Sequence, residues 1–267
     1  GSVEKYATTI NYAQSLSKTP LLITLDGEWG LSMRMKNTPR YPHNMGLGAI
    51  ANEKLLYDYG RRMAEECRML GIHVNFAPVL DVNSNPANPV IGYRSFSEDP
   101  QIVSRLAIAY SQGLEDGGVL SVGKHFPGHG DTSTDSHKEL PTVTHDVTRL
   151  DTTDLIPFKD YINAGLSGVM VGHLNVPALD NSGTPASLSK KITTDLLKSK
   201  LGFEGLIFTD ALEMKGAKVP GVNNCVQAFI AGADMLLASS SPMNDIIAFE
   251  KAVNSGKISK QEVERRC

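Results

Sequence analysis

Fourteen consecutive residues, Lys124-His-Phe-Pro-Gly-His-Gly-Asp-Thr-Ser-Thr-Asp-Ser-His137, hold one lysine, three histidines (His125, His129, His137) and two aspartates (Asp131, Asp135). Pro127, Gly128, Gly130 and the run of Ser and Thr make this segment a loop, so its ionisable groups can converge on one point. A dry interior could not satisfy so many charged groups. Loops held by a rigid scaffold are where catalytic groups gather. The spacings His125-x-x-x-His129 and His129-x-Asp131 invite a metal reading. On a helix the two rings would share a face, but proline and the two glycines forbid that helix, and no metal is expected.

A second ionisable group is delivered by a strand. Leu206-Ile-Phe-Thr-Asp210 is apolar up to its last residue, which makes Asp210 a nucleophile, a metal ligand or a helix N-cap. Arg94 sits in the proline- and glycine-bearing stretch Asn88-Pro-Val-Ile-Gly-Tyr-Arg94, and Arg34 follows another glycine-rich turn. Arginines so placed clamp a carboxylate or orient a polar ligand.

The rest of the chain explains how such groups could be brought together. Helical apolar spacing recurs over residues 3–16, 50–70, 102–114, 155–164, 192–201, 223–231 and 243–253. Between these lie six short apolar runs, at 21–26, 73–78, 119–122, 168–173, 205–210 and 234–239. Alternation of this kind predicts a parallel sheet with helices over its faces. Asp26, Asp81, Lys124, His125, His173 and Asp210 all fall at or just after a strand's C-terminal end. An open doubly wound sheet gathers its ligand groups at one switch point. Polar groups after nearly every strand instead predict an α/β fold of the (β/α)₈ TIM-type barrel kind, with six strands in view and two missing. One domain over residues 1–267 is expected, since no linker or low-complexity stretch interrupts the pattern.

Composition narrows the classes. With 41% apolar and 21% charged residues, the 267-residue chain has material for a full core. A net charge of −3 gives no basic footprint for nucleic acid, and no apolar run is long enough to span a bilayer. Cys67, Cys225 and Cys267 are scattered and suggest neither disulfides nor zinc. Gly1-Ser2 has the look of a cloning remnant, and no leader is visible, which leaves the compartment open.

Four motifs in order carry a resemblance. Lys124-His-Phe-Pro-Gly-His-Gly-Asp-Thr with Asp135-Ser-His137 resembles the motif of glycoside hydrolase family 3, in its β-N-acetylglucosaminidase branch. Asn88-Pro-x-Ile-Gly-x-Arg-Ser-Phe96 and Thr209-Asp-Ala-Leu-x-Met214 are similar to two other motifs of that branch. Asp26-Gly-Glu-Trp-Gly30, with Arg34 eight residues after Asp26, is similar to a fourth.

The resemblance implies a (β/α)₈ barrel lacking its first two strands. It implies a retaining exo-β-N-acetylglucosaminidase acting on peptidoglycan- or chitin-derived glycans, in a bacterial cytoplasm or cell envelope, without a cofactor. It casts Asp210 as nucleophile and Asp135 with His137 as an acid/base dyad. Asp26, Arg34, Arg94, Lys124, His125, His173 and Met214 would bind substrate. A histidine titrates near neutrality and can move a proton both ways, and a carboxylate on its second nitrogen fixes the tautomer. Trp29 and Leu31 depart from the family's usual Gly and Arg, which would alter the pocket rim or the contact to an aglycone. A β-glucosidase-like relative, a phosphorolytic variant and an inactive sugar-binding module are the alternatives. A further C-terminal domain outside this chain is allowed for.

Overall fold

The computed structural model describes residues 1–134, 139–237 and 239–266. Its framework is a parallel five-stranded sheet in chain order: β1 (Thr24–Leu25), β2 (Val74–Asn75), β3 (Leu120–Phe126), β4 (Gly168–Val171) and β5 (Leu206–Thr209). β1, β2, β4 and β5 fall inside the predicted runs, with β1 and β2 much shorter, whereas β3 begins in the run 119–122 and continues past it to Phe126. Pro78 explains the early end of β2, since it has no N–H for a ladder. Pairing nevertheless persists beyond it: Leu80 N–H donates to the Lys124 carbonyl at 2.6 Å, which carries Asp81 to the end of β3. The sixth expected strand is reduced to a bridge between Phe208 and Met235.

The sheet curls. Strands β2 and β5 would stand roughly 14 Å apart in a flat sheet at about 4.8 Å per step. Yet the rings of Phe76, just past β2, and Phe208 on β5 meet edge to face at 5.4 Å. Val74, Phe76, Val122, Met170 and Phe208 form a small apolar cluster on the concave side, as side chains fill a barrel's interior. The larger core lies on the convex side, under the helices. The architecture is therefore a curled parallel α/β half-barrel of five strands, where the resemblance implied a (β/α)₈ barrel lacking its first two strands.

The helices follow the predicted pattern with local differences. α1 (Val3–Leu16) matches its expected span. The helix expected over 50–70 is α3 (Glu53–Met69), and a helix that was not expected, α2 (Asn44–Ile50), precedes it. They divide because Ala51 adopts a left-handed backbone and the Asn52 side chain accepts from Leu55 N–H at 3.0 Å, starting a new helix. α4 (Pro100–Asp116) begins at an Asp99 cap with proline in its first turn. Residues 243–253 were expected to form the last helix, but Lys260–Arg266 adds another. Seven residues rich in charge lack the apolar period that would have betrayed it. Arg266 fixes this helix by donating to the carbonyls of Phe229 and Ala233 at 2.7 and 2.9 Å.

Candidate active site

At the C-terminal end of the strands lies a cavity of about 310 Å³, at the small end of ligand pockets. Asp26, Arg94, Lys124, His125, His129 and Asp210 line it, together with apolar Phe76, Val90, Met170 and Leu237. Groups far apart in sequence are thus brought together by strand ends.

Lys124 is the organising cation. Its register partner is Met170, whereas Phe126 pairs with Val171, so a bulge falls at His125. Bulges re-aim side chains, and here Lys124 and His125 both face the cavity. Lys124 is almost fully buried, with Nζ 2.6 Å from Asp26 Oδ1 and 2.8 Å from Glu28 Oε1. Glu28 in turn receives a two-pronged contact from Arg94, at 2.9 and 2.7 Å. Asp26 also takes an ion pair from Arg34.

The charges tune one another. Burial pushes the Asp26 carboxyl up, but Lys124 and Arg34 outweigh it and hold it below the usual value. Burial likewise opposes ionisation of Glu28, and Lys124 with Arg94 depress it far below the ordinary range. Burial would lower the Lys124 ammonium, yet its two carboxylate partners raise it.

Asp81 anchors the histidine loop. Its buried carboxylate accepts from the backbone N–H of His125 at 3.2 Å and of His129 at 2.7 Å, and lies 2.7 Å from His125 Nδ1. Arg94 Nη2 approaches the other ring nitrogen of His125 at 3.4 Å, and guanidinium can only donate. His125 therefore fits the tautomer with its proton on Nδ1, given to Asp81. Burial pushes the His129 imidazole down to about 4, so it stays neutral at physiological pH.

Asn88 ties two motifs together. Its amide donates to the carbonyls of His129 and Gly130 at 2.8 and 3.0 Å. Its oxygen accepts from Val90 and Ile91 N–H at 2.8 and 2.9 Å. The loop passes so near Val82 that a Cβ at Gly130 would lie 1.7 Å from that carbonyl oxygen, so only glycine fits. Farther along, Asp131 pairs with His145.

Asp210 stands at the end of β5, partly open to the cavity, with one oxygen accepting Ala211 N–H at 2.7 Å. Burial raises its carboxyl, but His125, His173, the Ala211 N–H and Lys124 more than offset this and keep it below the usual aspartate value. An ionised carboxylate on the floor of a cleft suits a nucleophile.

The predicted substrate-binding residues divide. Asp26, Arg94, Lys124 and His125 line the cavity, and Arg34 touches it through Asp26. His173 is fully buried behind the floor, donating from Nε2 to the Ala211 carbonyl at 3.0 Å and lying 2.7 Å from Ser187 Oγ. It braces the turn after Asp210. Met214 is buried at the head of a short turn and is not among the lining residues. Asp135 and His137 lie outside the described residues.

Glu28 and Asp81 were given no role by sequence reasoning. The signal for Asp81 was present, because it ends an apolar run as Asp26 and Asp210 do. Glu28 gave none beyond its place in a motif.

Glu28→Gln should leave Lys124 and Arg94 short of one buried negative charge, costing about 3–5 kcal/mol of stability, the usual loss on breaking a buried pair. Because the folded carboxyl is depressed, its contribution is complete above the unfolded value near 4.3 and fades as pH falls below it. Urea unfolding at pH 7 and pH 3 checks this. Equal midpoints for variant and wild type at pH 7 would refute it.

Residues 2–267 match the family model described as the glycosyl hydrolase family 3 N terminal domain. The chain is 41% identical over 258 residues to "Beta-hexosaminidase A" of Pseudoalteromonas piscicida, covering 89% of this chain and 43% of that protein. It is 38% identical to "Beta-hexosaminidase" of Nitrosomonas eutropha, covering 85% of this chain and 67% of that one. The structure of a family 3 β-N-acetylglucosaminidase from Paenibacillus sp. str. FPU-7 superposes with TM-score 0.95 at 40% identity, covering 100% of this chain and 52% of that chain. This chain thus spans about half the length, or less, of two of these three proteins.

Proposed function

The chain belongs to glycosyl hydrolase family 3, and from that premise we propose that it hydrolyses terminal β-linked N-acetylglucosamine with retention of configuration. The observation that carries this reading is Asp210. It is a carboxylate kept ionised on the cavity floor and facing Lys124 and His125 across a space sized for one sugar.

In this reaction Asp210 attacks the anomeric carbon as the glycosidic bond breaks, and His137 gives its proton to the departing oxygen. His137 then takes a proton from water, which attacks the same carbon and frees Asp210. Asp135 orients the His137 ring. A histidine acid replaces the second carboxylate of most retaining enzymes. Asp26 and Lys124 bind sugar hydroxyls, Arg34 and Arg94 hold the carboxylates beside them, and His125 faces the N-acetyl region.

Residues 1–267 form a single domain of the (β/α)₈ barrel type around this site, to which the five strands and the Met235 bridge contribute. It serves peptidoglycan or chitin turnover in a bacterial cell. Among the described residues no helix is long and apolar enough to cross a membrane.

Chromogenic β-N-acetylglucosaminide and β-glucoside, each with and without phosphate, test the reading. The expected result is strong preference for the N-acetylated sugar and release of free sugar in either buffer. Preference for the glucoside, or a sugar phosphate as product, would overturn it.

A further inference from the structure

Beside the cavity three short segments lock together through their inner residues and stack through their outer ones. Glu28, Asn44 and Arg94 are the inner set. Arg94 grips Glu28 with two hydrogen bonds, and Asn44 donates to the Arg94 carbonyl at 2.7 Å. Each has an aromatic neighbour in sequence: Trp29, His43 and Tyr93. Trp29 meets His43 edge to face at 4.6 Å, and His43 meets Tyr93 at 4.5 Å. His43 Nδ1 is buried with no hydrogen-bond partner among the described residues, so ring contacts fix that side.

Tyr93 is 57% exposed. The backbone beside it is tethered to Arg94, which lines the cavity, and successive Cα atoms are only about 3.8 Å apart. Exposed Tyr93, and the half-buried His43 and Trp29 that stack on it in turn, are thereby tied to the rim residue Arg94 of the sugar cavity. Aromatic faces offer rigid apolar area to the C–H face of a pyranose, with a polar edge left for its hydroxyls.

Resting on the glycosidase reading above, we propose that Trp29, His43 and Tyr93 form a platform for the sugar ring that follows the terminal residue. The preferred aglycone is then a second pyranose, held by stacking, and not a small alkyl group. The ion pair Glu28–Arg94 couples this platform to the cavity, since it fixes both Trp29 and Tyr93.

The test compares methyl β-N-acetylglucosaminide with N,N′-diacetylchitobiose in the full-length protein, because both depart as alkoxides. Tyr93→Ala and Trp29→Ala should lower kcat/KM for the disaccharide roughly 3- to 10-fold, mostly through KM, and change the methyl glycoside by less than about twofold. Trp29→Phe should recover most of the loss. Trp29 is the sole tryptophan of this chain. The emission difference between wild type and Trp29→Phe should shift on mixing with the disaccharide and not with the methyl glycoside. Equal losses on both substrates, or losses on neither, would overturn the platform, as would silent emission at saturating disaccharide. If wild type cleaves neither glycoside, the glycosidase reading fails. A Trp29 response to the disaccharide would then still support the platform, and its absence would overturn both.

Discussion

Asp210→Asn is expected to lower kcat on the order of 10⁴–10⁶-fold, the scale seen when one member of an interdependent catalytic set is removed. The change removes the nucleophile's charge and almost none of its volume. An asparagine oxygen can still accept the Ala211 N–H that Asp210 accepts at 2.7 Å, so the turn after β5 should hold. An unchanged unfolding midpoint would separate lost chemistry from lost structure. Azide should rescue the variant by attacking the anomeric carbon in place of the carboxylate, leaving a glycosyl azide of inverted configuration. Turnover near the wild-type rate would remove Asp210 from the mechanism.

His137→Ala should show a different profile, graded by leaving group. A second sugar departs as a poor alkoxide and should lose about 10²–10⁴-fold, the usual worth of general acid catalysis. A dinitrophenolate leaves unaided and should lose far less, provided glycosylation limits the rate. Asp135→Asn should give a milder form of the same pattern, because it disturbs the ring's tautomer and leaves the ring in place. Rates for a disaccharide and a dinitrophenyl glycoside across both variants decide the matter. Equal losses on the two substrates would give His137 a binding role and send the search for the acid elsewhere.

The sheet was legible because a buried parallel strand has few ways to look: 168–173 and 205–210 are nearly continuous apolar runs, and β4 and β5 lie within them. Their C-terminal polar residues marked the functional end for the same reason. Strand length was less legible. Pro78 cuts the formal ladder while the hydrogen bonds run on to Leu80, a distinction invisible in residue types. The split between α2 and α3 turns on one left-handed residue, Ala51, which has no sequence mark. In the site, charge type could be read but partnership could not. Arg94 was expected to clamp a carboxylate, yet nothing in the spacing said that the carboxylate was Glu28, 66 residues away. His173 also marks a strand end, but its contact with the carbonyl of Ala211, 38 residues away, could not be read from spacing.

Asn88 carries a consequence for chemical ageing. Asparagine deamidates when the following backbone nitrogen attacks the side-chain amide and closes a succinimide. The next residue is Pro89, whose nitrogen carries no hydrogen and cannot take that route. Conversion to aspartate here would replace an amide donor by an anion facing the carbonyls of His129 and Gly130, which Asn88 now binds at 2.8 and 3.0 Å. The clamp between the two loops is thus built from the one residue whose decay would turn attraction into repulsion, beside the one neighbour that blocks the usual decay. Peptide mapping after prolonged incubation at alkaline pH should find residue 88 intact while exposed Asn–Ser and Asn–Thr pairs such as Asn181–Ser182 and Asn37–Thr38 have aged.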